Sequence, residues 1–223
     1  MGTTEGAIDD AASFHEIAKV YDAYARTSPE SACNSLQGKN FDHDWIQGRL
    51  KKRIREQPLL DVGCGAGSVA NQLSTPNDAL IGIDLSAEMI SLARRHHPQH
   101  AFYVMNAQSL RFPTDSFGGA VAYFSLIHLS IQQLEHAIKE LGRVLQAQAP
   151  LLISLYGPRL NDETEDQEDT SDLGLNIHAH EVQEIEALFN GISLCKKATI
   201  TSRPPYPHEV SYEHIFIDTF IKG

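Results

Sequence analysis

Apolar positions along the chain follow two rhythms. Short apolar runs of strand length stand at residues 59–62, 80–84, 100–105, 118–124 and 151–156. Between them, apolar residues recur every three or four positions, the spacing of one helix face. The clearest case is Ile131, Leu134, Ile138, Leu141 and Leu145. Ahead of the first strand, Phe14, Ile17, Ala18, Tyr21 and Ala25 predict an amphipathic helix over residues 11–26. Trp45, Ile46, Leu50 and Ile54 predict another over about 42–56. The polar residues 27–40 read as a loop and a candidate gate. Ser86 is a good N-cap for a helix to about His97, where Pro98 stops it. A helix over 179–189 turns Val182, Ile185, Leu188 and Phe189 inward. Two strands follow, about 192–201 and 210–221, joined by Arg203-Pro204-Pro205-Tyr206-Pro207. Strands alternating with helices over 223 residues suit one α/β domain with a single core.

The first strand runs directly into chemistry. Leu59-Leu60-Asp61-Val62 is followed by Gly63, Gly65 and Gly67 at alternate positions, then by Val69-Ala70-Asn71-Gln72-Leu73 with a helical pattern. This reads as a buried strand, a tight turn and the start of a helix. The glycines allow positive φ and leave no Cβ between chain and ligand. A helix N-terminus behind the turn offers free N–H groups to a polar ligand. Ser68 stands where the dinucleotide fingerprint places its third glycine, and Asp61 precedes the first glycine by two residues. Both oppose a nicotinamide-dependent oxidoreductase.

Charge and composition narrow the classes further. The formal net charge is −11, but seven acids lie in one run over residues 161–172, and without them the figure is −4. Nucleic-acid affinity rests on Lys and Arg contacts to phosphates, so neither value suits that partner. The one basic cluster, Lys51-Lys52-Arg53-Ile54-Arg55, reads as a solvated helix face, and the acidic run as a solvated loop. No apolar run is long enough to span a membrane, and the acidic first ten residues lack a signal peptide's regions. Cys33, Cys64 and Cys195 are too scattered for a disulfide framework or a metal motif, which suits a reducing cytoplasm. His96, His97 and His100 cluster at a helix end, where an imidazolium suits the helix dipole. No metal is expected.

With Asp61 included, the glycine turn resembles motif I of class I S-adenosylmethionine-dependent methyltransferases, (D/E)-x-G-x-G-x-G. The resemblance covers roughly Leu59 to Leu155, within the small-molecule group similar to the ubiquinone and menaquinone methyltransferases. Leu80-Ile81-Gly82-Ile83-Asp84 ends in the acid that this family uses to hold the ribose hydroxyls. Asn106-Ala107-Gln108 stands where the family commonly has Asp-Ala, and an amide oxygen can still accept from the adenine amino group. Val20-Tyr21-Asp22-Ala23-Tyr24-Ala25 resembles the family's Tyr-Asp-x-x-Ala helix over the cofactor mouth, and Leu141-Gly142-Arg143-Val144-Leu145 its RVL helix end. Gly118 replaces the Asp of a Phe-Asp strand entrance, and a structural consequence is expected there. Pro204-Pro205-Tyr206 is a decoy, because the similar tripeptide of DNA amino-methyltransferases follows the fourth strand.

The resemblance implies a Rossmann-like, doubly wound, seven-stranded, mostly parallel sheet with a reversed last strand. It implies a helical cap over 1–57, a cofactor-binding core over 58–156 and a C-terminal part over 157–223. The implied cofactor is S-adenosylmethionine, leaving as S-adenosylhomocysteine. Gly63, Cys64, Gly65 and Gly67 would meet its methionine part, with Asp61 supplying negative charge. Asp84 would hold the ribose, Leu85, Met89, Asn106, Ala107 and Gln108 would border the adenine, and Phe124 would close the floor. His128, Tyr21 and Tyr24 are the candidate catalytic residues, His128 as a base if the acceptor is a hydroxyl or carbon acid. The expected activity is methyl transfer to a nitrogen, oxygen or carbon of a small metabolite. Methylation of RNA or protein, and a relative that binds cofactor without transferring methyl, are the alternatives.

Overall fold

The computed structural model describes residues 5–221 except 55, 73–78, 161–172, 193–194, 196–197 and 208. In chain order the elements are α1 (Glu5–Thr27), α2 (Pro29–Cys33), α3 (Asn40–Leu50), β1 (Leu59–Val62), β2 (Leu80–Asp84), α4 (Ala87–His96), β3 (Ala101–Val104), β4 (Gly119–Tyr123), α5 (Ile131–Val144), β5 (Pro150–Arg159), α6 (Val182–Gly191), β6 (Thr199–Arg203) and β7 (Tyr212–Phe220). The strands form one sheet in the order β3-β2-β1-β4-β5-β7-β6. β1 to β5 pair in parallel, whereas β7 lies antiparallel to both β5 and β6. The reversed last strand and the doubly wound sheet are therefore as the resemblance implied. The strand order reverses between β1 and β4, where such sheets open a crevice at their carboxyl edge.

Strand pleat decides what faces that crevice. Leu60 and Val62 of β1, Ala120 and Ala122 of β4, Leu151, Ile153 and Leu155 of β5, and Ile215 and Ile217 of β7 share one core with α5 and α6. Leu59, Val121, Leu152 and Phe216 alternate with them and join a second core with Trp45, Ile46 and Leu50 of α3 and Ile90 and Ala93 of α4. Side chains repeat every two residues along a strand. The second face therefore also carries Asp61, Tyr123, Ser154, Tyr156 and His214 as the strands reach the carboxyl edge. The amphipathic α5 is fixed at its start by a capping box between Ser130 and Gln133 and buries Leu134, Ile138 and Leu141 completely. Each such side chain contributes about 1.5–3 kcal/mol.

Several expectations need correction. The helical pattern after the glycines yields only a 3-10 turn at Ala70–Gln72, and Leu73 lies outside the described residues. Successive bonds from Gly67 N to the Cys64 carbonyl and from Ala70 N to the Gly67 carbonyl wind the segment as stacked turns. Residues 27–40 are not simply a loop: α2 lies within them and Ala32 and Leu36 are buried. α3 stops at Leu50, six residues before the expected end, because the chain must reach the sheet: Ile54 N donates to the Gly118 carbonyl at 2.9 Å. Residues 51–54 of the basic cluster accordingly lie in a turn, with Arg53 donating to the Leu50 carbonyl, and Arg55 lies outside the described residues. α1 starts earlier than expected, and β5 runs on to Arg159 through an irregularity after Tyr156. The acidic run over residues 161–172 lies outside the described residues.

Gly118 has the structural consequence expected of it. A Cβ there would fall 2.0 Å from the Ile54 carbonyl oxygen. Gly118→Ala should lower stability by about 1–3 kcal/mol. Urea unfolding would show this as a lower midpoint at unchanged slope.

Candidate functional site

Three glycines shape the turn after β1, each for a different reason. All have positive φ, +63° at Gly63, +52° at Gly65 and +93° at Gly67. At Gly63 a Cβ would collide with Ser125, whose hydroxyl donates to the Val62 carbonyl. At Gly67 it would collide with the His97 ring. At Gly65 it would meet nothing within 4 Å, so this backbone is open to a ligand. Asp84 ties the turn to β2: one carboxylate oxygen accepts from Gly65 N at 2.9 Å and the other from Ser86 N at 2.8 Å. Phe124, leaving β4, is a non-glycine residue at φ 45°, with its N–H donating to the Ser154 hydroxyl at 2.9 Å. Strained backbone of this kind collects at functional sites.

These residues line two adjoining cavities. The larger, about 380 Å³, is walled by Asp61, Gly63, Cys64, Gly65, Met89 and Phe124 on the glycine side, and by Tyr21, Tyr24, Lys39, Tyr123 and Tyr156 on the other. The smaller, about 120 Å³, shares Tyr21, Gly63, Gly65, Met89 and Phe124 and adds Asp84, Leu85 and His128. Gly67, Asn106, Ala107 and Gln108 line neither. Gly67 faces His97, and the Asn106 amide oxygen accepts from Gln108 N at 2.9 Å.

Asp61 is 1% exposed, and its Oδ2 has no hydrogen-bond partner. Burial, and then the charge of Asp84, push its pKa up to about 8. Burial also raises Asp84, against the opposing pull of its backbone N–H donors. The Cys64 thiol is pushed up by burial and by both acids. A buried carboxyl with an unused oxygen beside an open glycine is a seat for a cationic donor.

His128 sits between two partners. Its Nδ1 lies 2.5 Å from the Asn176 carbonyl, which can only accept, so Nδ1 carries the proton. Nε2 is then free to accept, and the Tyr21 hydroxyl donates to it at 3.0 Å. Burial lowers the His128 pKa, outweighing the Asn176 carbonyl. Tyr24 walls the larger cavity. His97, at the end of α4, is buried and held below its ordinary pKa by burial, so it closes the helix as a packed neutral ring instead of an imidazolium. Among the described residues no three His, Cys, Asp or Glu side chains are gathered for a metal ion, and no helix is long and apolar enough to cross a membrane.

Sequence reasoning missed Asp22, Lys39, Tyr123, Tyr156 and Asn176. Asp22 accepts from the Ser86 hydroxyl at 2.6 Å and from Glu88 N at 3.0 Å, which docks α1 on the start of α4. Its signal was the acid of the Tyr-Asp-x-x-Ala pattern. Tyr123 and Tyr156 were legible by pleat, two residues beyond Val121 and four beyond Leu152.

Residues 59–148 match a family model described as a methyltransferase domain. The whole fold is of the class I, Rossmann-like type: a methyltransferase of Haloferax volcanii, solved with the activator Trm112, superposes with a TM-score of 0.72 at 14% identity, covering 91% of this chain and 98% of that one. The O-methyltransferase rstn1 of Aspergillus nomiae is 35% identical over 114 residues, 48% of this chain and 50% of its own. A demethylmenaquinone methyltransferase of Chlorobaculum parvum is 29% identical over 140 residues, 60% and 54%. The chain thus spans about half the length of these relatives. The matched segment holds Asp61, the glycine turn, Asp84, Phe124 and His128, whereas Tyr21, Tyr24, Lys39 and Tyr156 lie outside it.

Burying Asp61 in its protonated form sets a sign. Its folded pKa lies above the unfolded value of 3.8, so its contribution is fully present below that value and is lost as pH rises towards about 8. Asp61→Asn should therefore melt higher than wild type at alkaline pH, by about 2–4 °C per kcal/mol regained. Wild type should bind a cationic ligand more tightly as pH rises from 6 to 8, and the same variant should lose both affinity and that rise. Thermal melts and calorimetry across that range check both halves.

Proposed function

We propose that the chain transfers a methyl group from S-adenosylmethionine to an oxygen nucleophile of a small molecule. The observation that carries this is the Asp84 carboxylate, held against the open Gly65 backbone beside the unpartnered Oδ2 of Asp61. These residues fit the cofactor. Asp61 would take its ammonium group, Gly63, Cys64 and Gly65 its methionine backbone, and Asp84, with lone pairs left after its two N–H contacts, the ribose hydroxyls. Leu85 and Met89 would border the adenosine, Asn106, Ala107 and Gln108 its base edge, and Phe124 would form the floor. When bound, the cofactor supplies a methyl group already activated by a sulfonium.

The protein's own part is alignment and proton removal. Tyr21 and Phe124 wall both cavities, so they stand where cofactor and acceptor meet. The phenol of Tyr21 donates to Nε2 of His128, which leaves its oxygen lone pairs to receive the proton of an acceptor hydroxyl. Tyr21 passes its own phenolic proton to Nε2 of His128 as it receives the acceptor's, while the Asn176 carbonyl holds the ring by Nδ1. An amine acceptor would leave this relay without work, and the presence of the relay favours oxygen. Three relatives named as O-methyltransferases support oxygen as the nucleophile. Methylation of nucleic acid gains no support from a chain of formal charge −11.

Calorimetric titration with S-adenosylhomocysteine tests the reading. Wild type should bind it, and Asp84→Ala should weaken binding about a hundredfold, the loss of two hydrogen bonds to a charged group. Absence of wild-type binding would overturn the reading. Binding without turnover across a panel of hydroxylated acceptors would favour a non-methylating relative.

Because the His128 pKa is lowered, Nε2 stays unprotonated through neutral pH and is lost as a base only in acid. The acid limb of the kcat profile should have its midpoint below the ordinary 6.5 of histidine. His128→Asn should cut kcat by about 100- to 10,000-fold and remove that limb.

A further inference from the structure

The larger cavity contains a cation that methyl transfer itself does not require. Lys39 lines this cavity and has no place in the smaller one beside Asp84 and His128. Its side chain is 19% exposed, and its ammonium lies 2.8 Å from Glu209 Oε1 and 6.0 Å from the Tyr123 ring. Glu209 also accepts from Arg203 at 2.8 and 3.2 Å and from Tyr206 N at 2.8 Å. Arg203 forms a bidentate pair with the fully buried Asp42, 2.8 Å on each arm, and Asp42 accepts from the Tyr123 hydroxyl. Two cations balance two carboxylates.

Within that balance Lys39 is the member with capacity left over. An ammonium has three donors, and Glu209 uses one. A carboxylate brought to Lys39 would add an uncompensated charge to a balanced, largely buried network. A carbonyl oxygen would take a donor and add none. The surrounding walls are flat and aromatic, with the Phe124 and Tyr156 rings stacked at 5.0 Å and 29°. Tyr21, the donor to His128, belongs to the same cavity.

We propose that Lys39 is a specificity-determining residue that donates a hydrogen bond to a carbonyl oxygen on an aromatic acceptor, whose hydroxyl faces Tyr21. The acceptor class is a hydroxylated aryl ketone or quinone. This rests on the reading of the cavity as the acceptor site.

A matched pair of probes tests it: 4-hydroxyacetophenone and 4-ethylphenol, equal in shape and differing in the carbonyl. Their dissociation constants are measured by saturation-transfer NMR without cofactor, at mildly acidic pH where both are neutral. The proteins are wild type, Lys39→Met and the double variant Lys39→Met with Glu209→Gln. Wild type should bind the ketone about tenfold more tightly, the worth of one hydrogen bond to a charged donor. Both variants should lose that preference and bind S-adenosylhomocysteine as wild type does. Equal affinities in wild type, an undiminished preference in the variants, or binding of neither probe would overturn the proposal. Should Lys39→Met fail to fold with Glu209 left short of a partner, the double variant carries the comparison. Failure of wild type to bind S-adenosylhomocysteine would overturn the methyltransferase reading separately, because the probe comparison uses no cofactor.

Discussion

The carboxylate of Asp84 is the joint on which the carboxyl edge of the sheet depends. It takes Gly65 N with one oxygen and Ser86 N with the other, and so locks the glycine turn to the end of β2. Ser86 passes the constraint on, because its hydroxyl donates to Asp22 on α1 and accepts from Met89 N at the start of α4. One side chain thus sets the turn, holds the residue that caps the next helix and, through Ser86, orients the helix that covers both cavities. The exposed Arg26–Glu88 pair between the same two helices adds little by comparison. Docking of α1 is therefore tied to the geometry of the turn, and a ligand that engages Asp84 and Tyr21 touches both ends of that connection.

The opposite wall rests on a different device. Tyr123, Tyr156 and His214 emerge from β4, β5 and β7 on one face, brought together by the register Tyr123↔Ser154 and Tyr156↔His214. His214 is wedged against Phe124 and Tyr156, and burial pushes its pKa down to about 4, so it packs as a neutral ring. Behind the aromatic wall stand Asp42 of α3, Arg203 of β6 and Glu209 of the turn before β7. Burial alone would raise Glu209, but Arg203 and Lys39 reverse that and bring it to about 2. Ions this deep are seldom the cheapest way to stabilise a fold. Their gain here is geometric: a fixed set of charges holds α3 to the last hairpin and aims Tyr123 and Lys39.

The strands and helices were legible because strand-length apolar runs, an N-cap at Ser86 and the face of α5 each follow from local chemistry, whereas the reversed strand was legible only through the family resemblance. The glycine turn was legible for the same reason as the helices, since Asp61, Gly63, Gly65 and Asp84 shape it through backbone contacts close in sequence. Three failures share a cause in tertiary contact. α3 ends at Leu50 because Ile54 is claimed by Gly118. Gly67 serves His97, thirty residues away, where the motif alone suggested a ligand. Lys39 gains its meaning from Glu209, which no spacing rule connects to it. His128 shows the middle case: its position after β4 suggested a site residue, but its tautomer depends on a carbonyl at Asn176.

The acids about the glycine turn explain why the two halves of the site differ in sequence. Asp61 and Asp84 are both pushed upward by burial, and Asp84 raises Asp61 further. Such a pocket is at its least favourable when empty and relaxes when a cation enters. That demand is met within residues 59–148, the segment matched by the methyltransferase family model. Most of the walls that would read an acceptor come from elsewhere: Tyr21 and Tyr24 from α1, Lys39 from the residue before α3, Tyr156 from the extension of β5 and Val210 from the turn before β7, with Tyr123 the contribution of the matched segment. The Lys39–Glu209 pair joins the helical cap to the C-terminal hairpin at the wall of the larger cavity.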